Sequence, residues 1–299
     1  MTPSIQKYLN RSLREALDVE VSSLEFKSVG GGSINETYMT ILNGRKQFFL
    51  KLNSVKKYPG LFQKEKYGLE FIGKQEIIRV PSVVVFGEVE NYQLLLLDWI
   101  EGGLKTEYFW KLFGQQLAAL HQQTWLSKNG RVVFGFDEDN YMGSLAQHNN
   151  KHQEWNEFFI NARLQPQITL GRENHLLHTK HLDAFQHLFL RLSEIFSPES
   201  SALLHGDLWS GNFMCNEKSE PVLIDPAVYF GHRSMDLAMT TLFGGFDKIF
   251  HESYEYHFPF PKNYREQWEI CNLYPLLIHL NLFGSGYLGQ IERTLRRFG

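Results

Sequence analysis

The chain has 299 residues, 43% hydrophobic and 14% aromatic, enough for a sizeable core and too apolar for a disordered segment. Lys plus Arg is 30 and Asp plus Glu is 33, a formal charge of −3 that offers nothing to nucleic acid or to a polybasic membrane contact. The 2 cysteines, Cys215 and Cys271, make no disulfide framework and fit a reducing compartment.

Along the chain, Ile5, Tyr8, Leu9, Leu13 and Leu17 recur at helical spacing and predict an amphipathic first helix. No signal-peptide core follows the start, and no apolar run approaches the ~18 residues of a membrane span. A cytoplasmic protein is expected. Gly30-Gly31-Gly32-Ser33 precede a strand, where glycines would let backbone N–H groups approach phosphates or would simply make a flexible turn. Neither a Walker A nor a dinucleotide-binding glycine pattern is present. Asn43-Gly44 between β-prone runs predicts a hairpin. A two-residue turn would pair Leu42 with Arg45 and set Glu36 opposite Lys51. Lys51, at the end of QFFLKL, would be a point charge on the α- and β-phosphates of a nucleotide. It needs an orienting carboxylate. The following helix, anchored by Phe62, Leu69 and Ile72, offers Glu65 first and Glu70 as the alternative. Two more strands complete a β-rich first half with one inserted helix.

Near Glu101-Gly102-Gly103 the pattern turns helical, in YFWKLFGQQLAALHQQT, EWNEFFINARLQPQITL and HLDAFQHLFLRLSEIF. Then comes LLHGDLWSGNFMCNEKSEPVLIDPAVYFGHRSMDLAM, with short apolar runs at 213–215 and 222–224 around a polar turn. As a hairpin, these runs would bring Asn212 and Asp225 side by side at its open end, with Asp207 on the same edge. Phosphoryl transfer from ATP needs such a set. Asp207 would take the acceptor hydroxyl's proton, and Asn212 and Asp225 would hold Mg²⁺ on the β- and γ-phosphates. His205 reads as structural. Asp236 is expected to bind backbone N–H groups of the catalytic loop, and Trp209 either packs in the core or lies on a substrate. No zinc spacing and no GxSxG element occurs. The predicted organisation is α+β, with a small β-rich lobe at 1–100, a hinge at about 98–103, and a larger, mainly helical lobe at 101–299.

These residues resemble the kinase-like phosphotransferase fold. His205-Gly206-Asp207 stands where protein kinases carry HRD, Asp225-Pro226 where they carry DFG, and no APE segment follows. That points to the small-molecule branch. Within it, HGDLWSGN, IDPAVYFGHRSMDLAM, FGFDEDNYMGSLAQHN, EWNEFFINARLQPQ and LLIHLNLFGSGY resemble the fructosamine kinase (ketosamine-3-kinase) family over nearly the whole chain. The resemblance implies a two-lobed protein-kinase-like fold, ATP and Mg²⁺ as cofactors, and phosphorylation of the sugar 3-hydroxyl of a fructosamine or ribulosamine. The unstable 3-phosphate would release the amine, a repair of glycation on small molecules or protein lysines. It implies Asp207 as base, Asn212 and Asp225 as metal ligands, and Lys51 with Glu65 as the phosphate-positioning pair. Gly31, Gly32 and Ser33, with Asp98 and Ile100 at the hinge, join the nucleotide set. Trp209, Gln147 and Asn149 fall in the acceptor region. Some members carry a cysteine in the glycine loop that links to a partner chain; Ser33 stands there, so a monomer or weak homodimer is expected. The runner-up acceptor is an aminoglycoside, choline or another amino alcohol, for which Asp137, Glu138 and Asp139 would offer an acidic face.

Overall fold

The computed structural model describes residues 1–30 and 34–299. The chain forms two compact units. The first is Met1–Leu104 with Met214–Asp225, the second Lys105–Phe213 with Pro226–Gly299. From the sequence, the second lobe is expected to span 101–299, after a hinge at about 98–103. The chain instead passes from first to second at Leu104, and a twelve-residue segment, Met214–Asp225, returns to the first.

The first unit opens with helix α1 (Pro3–Leu17), capped by the Thr2 hydroxyl, which accepts Ile5 N–H at 3.3 Å. A five-stranded antiparallel sheet follows, in the order β1-β2-β3-β5-β4. Its strands are β1 (Leu24–Ser28), β2 (Glu36–Leu42), β3 (Lys46–Ser54), β4 (Val83–Val89) and β5 (Tyr92–Asp98). Ile5, Leu9 and Leu13 of α1 pack with Phe48, Leu50 and Leu52 of β3 and with Leu94 and Leu96 of β5. Because side chains alternate along a strand, Lys51 points to the opposite face. There it meets helix α2 (Leu61–Gly73), whose Phe62, Leu69 and Ile72 are buried as expected. The β2–β3 register differs from the two-residue expectation. Arg45 is a third turn residue, so Leu42 pairs with Lys46 and Lys51 lies opposite Thr37 rather than Glu36. Asn43 and Gly44, at φ +52 and +68, supply the left-handed turn conformations that an Asn-Gly hairpin requires.

The returning segment is stitched in by backbone hydrogen bonds. Gly103 N–H donates to Cys215 C=O at 2.8 Å, and Leu223 N–H donates to Arg79 C=O at 2.9 Å. Gly103 has to be glycine, since a Cβ there would overlap the Asn216 carbonyl.

The second unit is mainly helical. Helix α3 (Glu107–His121) starts at a Thr106 cap, and the hairpin of β6 (Asn140–Met142) and β7 (Leu145–Gln147) follows. The run EWNEFFINARLQPQITL does not form one α-helix. It is α4 (Trp155–Phe158), a π-helical stretch Phe159–Leu164, and α5 (Gln165–Glu173). Pro166 sits in the first turn of α5, where it has no N–H to give the preceding turn, so the ladder is interrupted there. After α6 (Thr179–Ile195), strand β8 (Ala202–Leu204) pairs with β11 (Tyr229–Gly231); in the sequence between these two come β9 (Phe213–Cys215) and β10 (Pro221–Leu223), whose residues from Met214 on belong to the first unit. Strand β10 starts and ends one residue earlier than the sequence suggested. The Asn216 side-chain oxygen accepts from Lys218 N–H and Glu220 N–H and closes the turn before it. Helices α7 (Ser234–Leu242), α8 (Lys248–His257), α9 (Tyr264–Cys271), α10 (Leu273–Phe283) and α11 (Leu288–Phe298) complete the unit. Phe113 sits at its centre, 5.0 Å from both Phe213 and Phe250. Among the described residues, no helix is long and apolar enough to cross a membrane.

Candidate active site

In the second unit, β8 delivers the loop that begins at His205. Asp236, in the first turn of α7, is buried and accepts His205 N–H at 2.7 Å and Gly206 N–H at 2.9 Å. His121 Nε2 lies 3.2 Å from the same carboxylate and Tyr254 hydroxyl 2.9 Å from His121 Nδ1. The backbone role expected of Asp236 is thus present. Gly206 has φ +87, and a Cβ there would overlap the Ala227 carbonyl. Ala227 N–H in turn donates to His205 C=O at 2.8 Å. The loop is held from two sides before it reaches Asp207.

Asp207 is half-buried, and Asn212 fixes it. One amide nitrogen, Nδ2 of Asn212, donates to the Asp207 carbonyl at 2.8 Å and to its carboxylate Oδ2 at 3.0 Å. Both amide protons are then used, and Asn212 Oδ1 remains as a hard oxygen of the kind Mg²⁺ prefers. Trp209 is not core. It is 38% exposed, meets Phe243 edge-on at 6.3 Å, and lies flat on Gly211, where any Cβ would overlap the indole.

The two amide residues expected in the acceptor region are buried. Gln147 and Asn149 are each 1% exposed. Gln147 donates to Asn140 Oδ1 and Ala227 C=O and accepts from Tyr274 hydroxyl. Asn149 donates to Glu138 C=O and Asn140 Oδ1 and accepts from Arg163. Their amide protons are committed to the protein, and they brace the β6–β7 hairpin. Arg163 is the residue that sequence reasoning missed. It is fully buried in the π-helical stretch, stacks 3.9 Å over Tyr229, and donates to Asn149 Oδ1 at 2.8 Å. An arginine in an otherwise helical run reads as a surface charge, so no signal marked it.

In the first unit, Lys51 Nζ donates to Glu65 Oε1 at 2.7 Å and to Asp225 Oδ1 at 2.6 Å. Glu70, the alternative partner, bonds Lys66 instead. Burial alone would lower the Lys51 ammonium's pKa, but Asp225 and Glu65 outweigh it and hold it above the ordinary lysine value. Burial pushes the Glu65 carboxyl up to about 7 against the pull of Lys51, and the charge of Asp225 adds to the rise. The two shifts agree once the charges are counted. One ammonium faces two carboxylates, and the more buried one, Glu65 at 11% side-chain exposure against 43% for Asp225, carries the excess. Asp225 itself has φ +54, a left-handed conformation that costs a non-glycine residue and marks a constrained position.

Of the hinge residues, Ile100 is buried, and Asp98 turns its carboxylate to Ser82 N–H and Arg79. Gly31, Gly32 and Ser33 lie outside the described residues.

An antiparallel sheet carrying a Lys–Glu–Asp triad, followed by a helical part carrying a pinned His-Gly-Asp loop, defines the class of protein-kinase-like phosphotransferases. The fructosamine kinase family model matches residues 3–298, and the chain belongs to that family. It is 37% identical over 273 residues to a probable ketoamine kinase of Enterococcus faecium, covering 90% of this chain and 94% of the relative. It is 35% identical over 267 residues to the chloroplastic protein-ribulosamine 3-kinase of Arabidopsis thaliana, covering 87% and 78%. A putative fructosamine-3-kinase from Haemophilus somnus has the same fold, with a TM-score of 0.88 at 23% identity over 99% of both chains. The chain is an ATP-dependent kinase that acts on a sugar hydroxyl.

Proposed function

We propose that this kinase phosphorylates the 3-hydroxyl of ketosamines, sugars joined through a secondary amine to a small molecule or a protein lysine, and so initiates their deglycation. The observation that carries the reading is the catalytic loop: Asp207, oriented by Asn212, stands two residues from a half-exposed Trp209 laid flat on Gly211. A flat indole beside a base suits the apolar face of a sugar.

In this mechanism Asp207 orients the sugar 3-hydroxyl and accepts its proton as the oxygen attacks the γ-phosphorus. The bond from that phosphorus to the β–γ bridging oxygen breaks, and its electron pair leaves on ADP. Lys51, held by Glu65, supports the α- and β-phosphates. Asn212 and Asp225 are the residues that would hold Mg²⁺, whose chemistry is to neutralise charge on the β- and γ-phosphates. Each offers an oxygen of the kind that ion prefers: Asn212 has spent its amide protons on Asp207 and keeps Oδ1, and Asp225 keeps a partly exposed carboxylate. Lys51 would exchange its contact with Asp225 for phosphate as the nucleotide enters.

An acidic face for a polycationic aminoglycoside finds little support. Asp137 is paired with Lys151, and Asp139 with His148 and the Asn149 N–H. The test is ADP release with ribulosyl-lysine, fructosyl-lysine, kanamycin and choline as acceptors. Turnover of a ketosamine is expected, and Asp207→Asn should lower kcat by about 10²–10⁴-fold with ATP binding kept. Phosphate transfer to kanamycin or choline alone, or full activity in the variant, would refute the reading.

A further inference from the structure

Five aromatic side chains of the second unit run in one row outward from the catalytic loop. Trp209 meets Phe243, Phe243 meets His279 at 4.9 Å, and His279 lies 5.0 Å from Tyr287 and 5.4 Å from Phe283. Trp209 is 38%, Phe243 40% and Phe283 60% exposed. Scattered exposed aromatics are ordinary; a connected row that starts beside a base is not.

The backbone holds this row in place. Phe243 is followed by Gly244 and Gly245 at φ +72 and +88, and a Cβ on Gly245 would overlap the side chain of Ser210, the neighbour of Trp209. The Phe243 loop is therefore seated on the catalytic loop. His279 and Phe283 are four residues apart on α10, and Gly284 at φ +92 ends that helix so that Tyr287 returns against His279. The buried Nδ1 of His279 has no hydrogen-bond partner among the described residues, and burial lowers its pKa. The ring is thus an uncharged flat surface at neutral pH.

A ketosamine has two parts, the sugar and the amine that carries it. With the sugar at Asp207 and Trp209, the amine substituent has to leave along some surface. We propose that the row Phe243–His279–Phe283–Tyr287 is the subsite for that substituent, taking a protonated secondary amine with an aliphatic or aromatic carbon chain through apolar burial and cation–π contact. This rests on the ketosamine reading above and deepens it: the row selects the amine, while the catalytic loop handles the sugar. The preferred protein-bound acceptor is a glycated lysine flanked by a large apolar residue.

The experiment compares two acceptors with the same sugar, the ribulose adducts of methylamine and of phenethylamine, in the wild type, Phe283→Ser and Phe243→Ser at saturating ATP. The wild type is expected to show the lower KM for the phenethylamine adduct. Phe283→Ser should raise that KM about tenfold and leave the methylamine adduct within about twofold, with kcat retained, and Phe243→Ser, which also loses the contact with Trp209, should raise the phenethylamine KM more than the methylamine KM. Melting temperatures of the variants separate a lost subsite from a lost fold. A KM ratio between the two adducts that stays the same in both variants overturns the inference and leaves the ketosamine reading intact. A wild type that turns over neither adduct overturns both.

Discussion

Asp207 is held by a chain of small necessities. Asp236 receives two backbone N–H groups ahead of it, Gly206 turns where no side chain fits, and Asn212 reaches back to its carboxylate. Gly211 belongs to the same chain, since it is the floor under Trp209. Replacing it with Ala places a methyl where the indole ring lies, and the ring has to move. Gly211→Ala is expected to raise KM for a ketosamine by about tenfold, the loss of roughly one aromatic contact, with KM for ATP unchanged. Steady-state kinetics with each substrate varied in turn checks this; equal rises in both constants would point to a distorted loop instead. Asp207, Trp209 and Asn212 stand out in the sequence because they fall within six positions of one motif, while the need for glycine at 206 and 211 shows only in the packing around them. Gln147 and Asn149 were legible only as a region, since spacing does not say whether an amide faces a sugar or its own neighbours.

At the scale of elements, β3 and α2 present Lys51 and Glu65 to one another from a sheet face and a helix. Glu65's folded pKa of about 7 lies above its ordinary 4.5, so the folded chain holds that proton more tightly than the unfolded one. This contribution to stability is fully present below pH 4.5 and is lost as pH rises towards about 7. Function runs the opposite way. As pH falls through about 7, Glu65 takes up its proton and loosens its hold on Lys51. KM for ATP is expected to rise several-fold, by about half to one logarithmic unit, between pH 8 and pH 6, and Glu65→Gln should flatten that dependence. Initial rates with ATP varied across this range decide it, and an unchanged slope in the variant would remove Glu65 from the account. Asn43-Gly44 discloses the hairpin, whereas the sheet face that Lys51 takes emerges only from the packing of Phe48, Leu50 and Leu52 on the other side. The register slipped because Arg45 joins the turn, which no propensity distinguishes from a strand residue. The break in EWNEFFINARLQPQITL was equally hidden: Pro166 was visible, but a proline in a first helical turn and one after a π-helical stretch look alike in sequence.

For the whole molecule, the α+β class and the division into a β-rich and a helical part followed from composition along the chain, because apolar period changes near residue 100. The return of Met214–Asp225 to the first unit did not, since a hairpin reads the same wherever it docks. Its attachment depends on Gly103 N–H, Arg79 C=O and the Lys51 ammonium, partners 112 to 174 residues away in sequence. A fragment of Met1–Leu104 alone lacks these bonds. Joining residues 214–225 to it through a Gly/Ser linker is expected to raise its melting temperature by about 5–15 °C, the effect of one or two kcal/mol in a domain of this size. Thermal unfolding of the two fragments is the check, and equal midpoints would show that the segment adds nothing to the first unit.

The same segment sets a timetable. On the ribosome, residues 1–104 emerge first, yet the last piece of their fold, ending at Asp225, is made only after the start of the second unit. At roughly 5–20 residues per second this is a wait on the order of ten seconds. During that interval Lys51 and Glu65 face each other without Asp225, and the Arg79 carbonyl has no strand to receive. The nascent chain is thus open to proteases and to chaperones for longer than its length suggests, and the triad at the nucleotide end is the last feature of the first unit to be completed.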